Sequence, residues 1–97
     1  MLGDFDKAFE NRLRLQIMAV LMANDTYDFN SLKDLLTVTD GNLASHLKAL
    51  EKAGYISVRK SFIGRKTNTS YEATLEGRNA FQKHLAALEA LILQQKQ

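Results

Sequence analysis

Between residues 43 and 59 the hydrophobic period changes, and this limits the fold more than any other feature of the sequence. Leu43, Leu47 and Leu50 recur at spacings of four and three, the narrow buried stripe of a helix, with Ala44 and Ala53 assisting. From Tyr55, the residues Ile56 and Val58 alternate with Tyr55, Ser57 and Arg59, the period of a half-buried strand. Gly54 falls at the junction, where a C′ glycine ends a helix. Phe62-Ile63-Gly64-Arg65-Lys66 then reads as a hairpin tip in which Gly64 is free to take positive φ. Thr67 to Ala73 returns as the partner strand, with Thr69, Tyr71 and Ala73 facing one way. A helix feeding directly into a hairpin must pack both on whatever precedes and follows them.

What precedes them is helical. Phe5, Phe9, Leu13, Ile17 and Leu21 are spaced by four, which predicts one amphipathic helix from about Asp4 to Ala23, stopped by Asn24-Asp25. Tyr27-Asp28-Phe29 is long enough only for a strand stub or an extended connector. Asn30 is the expected cap of a short helix reaching Leu36. Thr37-Val38-Thr39-Asp40 is a polar break, and Thr39 as N-cap lets Val38 and Leu43 form a hydrophobic staple at the entry to the next helix. After the hairpin, Thr74 is the candidate cap of a last helix to about Gln94, carrying Phe81, Leu85, Leu88 and Ile92. The expected fold is mainly α with a small β-hairpin, in the order α-α-α-β-β-α. Residues 1–97 read as one domain, with residues 74–97 as a long C-terminal helix.

Composition narrows the function classes. The chain has no cysteine, so disulfides, thiol chemistry and thiolate metal sites are excluded. Its two histidines, His46 and His84, join no local motif, and no glycine-rich phosphate loop, metal-ligand spacing or adjacent acidic pair is present. Neither a catalytic residue nor a cofactor or metal is expected, and His84 is read as an exposed or interface residue. No apolar run is long enough to span a bilayer, and Met1-Leu2-Gly3-Asp4 lacks the features of a signal peptide, so a cytoplasmic protein without membrane contact is expected. The formal charge of +2 is uneven: residues 39–69 hold six bases, Lys48, Lys52, Arg59, Lys60, Arg65 and Lys66, against Asp40 and Glu51. One basic face meeting a polyanion produces this pattern, and so does an ordinary solvated surface.

Two short helices in tandem, joined by a few residues and backed by a longer one, form a helix-turn-helix arrangement. The second helix of such a pair can enter the major groove of DNA. Asp40, Asn42, Ser45, His46 and Ala49 lie off its leucine stripe, and Asn42 can both donate and accept at adenine, while Ser45 suits several base edges or a phosphate. At the hairpin tip Lys60, Arg65 and Lys66 surround Gly64, and Thr67, Asn68 and Thr69 add hydrogen-bonding groups. A basic loop of this kind reaches phosphates or a minor groove, unless it is simply a solvated turn. Phe62 and Ile63 either pack back on the domain or contact a partner.

The stretch from Asp40 through Ser45-His46-Leu47, Leu50-Glu51 and Gly54-Tyr55-Ile56, followed by Gly64-Arg65-Lys66-Thr67 and Tyr71-Glu72-Ala73-Thr74-Leu75-Glu76-Gly77, resembles the winged helix-turn-helix transcriptional regulators of the MarR/ArsR-like group. The likeness covers roughly residues 9–92 and points to the minimal, single-domain type. It implies sequence-specific binding of double-stranded, pseudo-palindromic DNA by a homodimer, often as a repressor. It assigns base reading to Asn42, Ser45 and His46, backbone proximity to Thr39, Gly41 and Lys48, and wing positions to Lys60, Arg65 and Lys66. A small-molecule effector is compatible with the group, although no residue cluster identifies one.

The last helix carries more apolar surface than a monomer of this size needs. Pairing of Phe81, Leu85, Leu88 and Ile92 with a second copy, aided by Phe5 and Phe9, would bury it. Packing within the chain is the alternative. A different function class also remains open: a winged-helix protein-protein interaction module without specific DNA binding.

Overall fold

The computed structural model describes residues 5–95. A 3₁₀ turn, Lys7–Phe9, precedes α1 (Arg12–Ala23), β1 (Tyr27–Asp28), α2 (Phe29–Leu36), α3 (Asp40–Lys52), β2 (Ile56–Ile63), β3 (Lys66–Ala73) and α4 (Leu75–Gln95). The sheet is antiparallel in the order β1-β3-β2. Tyr27 pairs with Tyr71 and Asp28 with Ser70, so the strand stub read at residues 27–29 is a true edge strand. The fold is mainly helical with a small sheet, as the sequence indicates.

The core is the meeting point of all four helices with the first rung of the hairpin. Ile17, Met18 and Leu21 from α1, Leu32 from α2, and Leu43, Leu47 and Leu50 from α3 are buried with Ile56, Phe9 and Phe81. Each such side chain contributes about 1.5–3 kcal/mol by leaving water. The α2–α3 connection is tight because Thr37 takes the left-handed conformation at φ 53° and closes α2, its N–H donating to the Lys33 carbonyl. Thr39 then caps α3 by accepting from the Asn42 N–H at 3.2 Å, as expected.

Two helix starts differ from the expected ones. The single helix predicted from Asp4 is broken, since Asp6 caps the 3₁₀ turn through the Ala8 N–H and Asn11 caps α1 through the Arg14 N–H. The break turns Phe9 inward, where its ring meets Tyr55, Phe81 and His84 at centroid distances of 5.5, 5.4 and 5.4 Å. Likewise α2 is capped by Asp28, not Asn30. The Asp28 carboxylate accepts from the Ser31 N–H at 3.0 Å and from the Ser31 hydroxyl at 2.6 Å. These hydrogen bonds, the hydroxyl one foremost, hold the Asp28 carboxyl below its usual range.

α4 starts against the α3–β2 junction. The Thr74 hydroxyl donates to the Gly54 carbonyl at 2.7 Å and accepts from the Gly77 N–H at 2.9 Å, while the Thr74 N–H donates to the Tyr55 carbonyl. A 21-residue helix is about 31 Å long. Its distal half and the hairpin tip both leave the body, so the molecule extends 58 Å along its longest axis. The radius of gyration is 14.9 Å, against about 12–13 Å for a compact chain of this length.

Candidate nucleic-acid interface

Burial of Leu43, Leu47 and Leu50 fixes the rotation of α3 and therefore which residues it presents. Gly41, Ser45, Lys48, Ala49 and Lys52 are exposed and lie opposite that stripe. They form a polar ridge of small residues ending in two lysines, and a Cβ placed on Gly41 would meet nothing within 4 Å. A backbone can approach such a ridge closely. Asn42 is exposed too, but shares a shallow cleft with Asn11, Arg12, Gln16 and His46 on the side toward α1. At the helix start, Asp40 is paired with Lys33 at 2.9 Å, and this contact raises the Lys33 ammonium above its usual pKa.

His46 is half-buried, and its Nδ1 lies 3.2 Å from Nη1 of Arg14. A guanidinium only donates, so Nδ1 is the acceptor and, in the neutral ring, Nε2 carries the proton. Arg14 is itself anchored by its Nε, which donates to the Ala8 carbonyl at 2.7 Å. The ring is therefore tied to α1 and offers one N–H at the edge of the ridge, whereas sequence spacing had placed it beside Ser45 as an equal. Nothing local to α3 could have shown a contact to a residue 32 positions earlier.

On the other flank of α3 an open groove separates it from the hairpin. Ala44, Lys48 and Glu51 form one wall, Lys60, Thr67 and Thr69 the other, and Asn30 from the first turn of α2 closes an end. The register explains the second wall. Val58↔Tyr71, Lys60↔Thr69 and Phe62↔Thr67 are directly paired, so these six share one sheet face. At the base of this face burial raises the Tyr71 phenol above its ordinary pKa, with Glu51 adding to the effect.

β1 supports the sheet only as far as Ser70, so the hairpin is two-stranded from Lys60 to Thr69. Gly64 has φ 65° at the first central position of the two-residue turn, and Arg65 follows at the tip, a pattern matching the type II′ hairpin. Lys60, Arg65, Lys66 and Thr67 are all exposed. Arg59 is neutralised by Glu72 at 3.6 Å, but among the described residues Lys60, Arg65 and Lys66 have no acidic partner. The structure thus brings Lys48, Lys60 and Thr67 to one groove, while Arg65 sits in the turn beyond it and Lys66, paired with Ile63, lies on the opposite sheet face.

The residues expected at a dimer contact divide. Phe9 and Phe81 are buried in the chain's own core, and Phe5 lies half-buried against His84, ring centroids 5.5 Å apart. Leu85, Leu88 and Ile92 are 46, 45 and 52% exposed, joined by Leu91 and Leu93. His84, expected as an exposed or interface residue, is instead buried within the chain and accepts from the Asp6 N–H at Nδ1, 3.1 Å away.

Four helices and a three-stranded sheet, whose basic hairpin projects beside the third helix, define a winged helix-turn-helix protein. Residues 13–92 match the winged helix DNA-binding domain, and the chain belongs to that family, a DNA-binding one rather than an enzymatic one. An uncharacterized protein of Methanocaldococcus jannaschii is 39% identical over 79 residues, covering 81% of this chain and 86% of that protein. A solved transcriptional regulator homologue from Pyrococcus horikoshii is 32% identical, with a TM-score of 0.81 over 88% of this chain and 84% of that one. The YusO protein of Bacillus subtilis shares the fold at 17% identity and a TM-score of 0.79, covering 91% of this chain and 64% of that one. Among the described residues no helix is long and apolar enough to cross a membrane.

Proposed function

We propose that the chain is a sequence-specific transcriptional regulator that binds double-stranded DNA as a homodimer and represses by occupying its site. The observation that carries this reading is that Lys48, at the edge of the exposed α3 ridge, and the unneutralised Lys60 of the hairpin line opposite walls of one groove. α3 fits the width of a major groove, and Gly41, Asn42, Ser45 and the His46 N–H are the groups placed to meet base edges or nearby phosphates. Lys48 and Lys60 hold the phosphate strand that would run along the groove, with the Thr67 hydroxyl beside them. The transcriptional-regulator description of the Pyrococcus relative supports the same reading.

The dimer rests on α4. Leu88, Leu91 and Ile92 continue the helical face that Gly77, Phe81 and His84 bury closer to the body, yet beyond Ala87 no described residue buries that face. Pairing with a second α4 would bury it and set two α3 helices on half-sites of a pseudo-palindrome about one helical turn apart. Selection of bound duplexes from a random library, at fixed salt, tests the proposal. Symmetric half-sites with a defined spacing support it; recovery of no enriched sequence, or of single asymmetric sites, contradicts it. The interaction-module alternative predicts no retained duplex at all.

A further inference from the structure

The hairpin tip carries two large apolar side chains that the fold does not use. Phe62 is 75% exposed and Ile63 68%, and neither packs back on the body. Solvated hairpin tips are ordinarily polar, and an exposed phenyl ring between Lys60 and Arg65 suits a partner that is anionic at its rim and apolar within. No acid occurs between Glu51 and Glu72, so nothing in this segment repels a polyanion.

Register gives the two side chains different directions. Phe62 pairs with Thr67 on the same sheet face as Lys60 and Thr69, the face that walls the groove beside α3. Ile63 pairs with Lys66 on the opposite face. Phe62 therefore lies at the outer end of the proposed DNA track, and Ile63 points away from it. From the last three-stranded rung at Arg59 to Phe62 is three residues, about 10 Å at strand spacing. The ring adds a few ångströms, which comes near half a helical turn of DNA, about 17 Å. A duplex held by α3 in its major groove presents the adjacent minor groove at that reach.

We infer that Phe62 is an apolar wedge that enters the minor groove flanking the α3 contact and partly unstacks one base step there, with Lys60 and Arg65 on the phosphates at either side. The inference rests on the DNA-binding reading above. Side chains of this type between base steps kink duplexes, and pyrimidine–purine steps yield most readily. Phe62 would thus read deformability, adding a preference for a TA or CA step outside the bases that α3 touches.

The test uses the full chain and the duplex recovered by selection, carrying 2-aminopurine at the flanking step and a donor–acceptor dye pair at its ends. Wild type is expected to raise the 2-aminopurine emission and shorten the end-to-end distance. Phe62→Ala should abolish both signals and weaken binding about tenfold or more, the scale of one lost base–aromatic contact. Its salt dependence and melting temperature should stay as in wild type, because no charge is lost and the ring is exposed. Phe62→Leu should keep most of the bend, and Ile63→Ala nearly all of it. Full bending by Phe62→Ala, or equal losses in Phe62→Ala and Ile63→Ala, overturns the wedge while leaving DNA binding intact. So does Phe62-dependent binding to phosphatidylserine vesicles with unchanged DNA affinity. A wild-type chain that binds no duplex overturns the functional reading itself, and the wedge with it.

Discussion

Replacing Gly77 by alanine tests how α4 is seated. A Cβ at this position would fall 2.1 Å from the Tyr55 carbonyl oxygen, 2.8 Å from its carbon and 2.9 Å from its Cα. That wall is backbone and does not rotate away. The same carbonyl accepts from the Thr74 N–H and the Thr74 hydroxyl donates to the Gly54 carbonyl, so moving α4 outward by more than 1 Å strains these two hydrogen bonds. Overpacking costs about 1–3 kcal/mol, and weakening those bonds adds about 0.5–1.5 kcal/mol each. The helix-propensity gain of alanine returns only about 1 kcal/mol. The expected net loss is about 2–4 kcal/mol, a drop of about 10–25 °C in melting temperature for a domain of this size. Thermal denaturation followed by circular dichroism, at one fixed protein concentration, measures it. Gly41→Ala in α3 is the control, since its Cβ meets nothing and it should melt at or slightly above wild type. A Gly77→Ala chain as stable as wild type would refute the close crossing of α4 over Tyr55.

Asp28→Ala should destabilise by about 1 kcal/mol through loss of the α2 cap, while Asn30→Ala stays near neutral. Because the Asp28 pKa is lowered in the fold, its contribution is present above the usual carboxylate range. The contribution is lost as pH falls through the lowered value, so urea midpoints of wild type and Asp28→Ala should converge in acid. Tyr55 is pushed up to about 12, first by its hydrogen bond to Asp6 and then by burial. It keeps its proton longer in the folded chain, so its stabilising effect is complete below pH 10 and fades as pH climbs toward 12. Ultraviolet titration should show this late phenol in wild type and an earlier one in Asp6→Asn. Leu88→Glu with Ile92→Glu, both on exposed α4 surface, should leave the melting curve of the monomer fold recognisable and halve the mass by light scattering.

Where one element's own spacing carries the information, the sequence was sufficient. The leucines of α3, the Thr39 and Thr74 caps, Gly54 after α3 and the Tyr55 change of period all fall where the structure has them. Misreadings arose where a side-chain oxygen competed with an apolar pattern. Spacings of four from Phe5 to Leu21 suit one helix, but Asp6 and Asn11 each satisfy backbone N–H groups and divide it. At Asp28 the cap lies inside the expected strand stub, and Ser31 is what selects it over Asn30. The site was legible as a set of residue types on α3 and the hairpin, but not as a geometry. Arg14 holding His46, and Asp6 holding His84, join positions 32 and 78 residues apart that no periodicity relates. Phe9 and Phe81 had the right character for an interface, yet an aromatic cluster with Tyr55 and His84 keeps them inside. What is left outside begins one turn later, at Leu85.

If α3 and the basic hairpin bind one duplex together, salt must weaken that binding through the cations of both. Affinity for a selected duplex, measured by fluorescence anisotropy over a range of salt, should fall linearly on logarithmic axes. The slope should lose about 0.9 for each phosphate contact removed. Arg65→Ala with Lys66→Ala should therefore flatten it by up to about 1.8 and weaken binding across sequences, whereas Ser45→Ala should change sequence preference at nearly constant slope. Binding that ignores salt, or a slope untouched by the hairpin substitutions, would contradict the account.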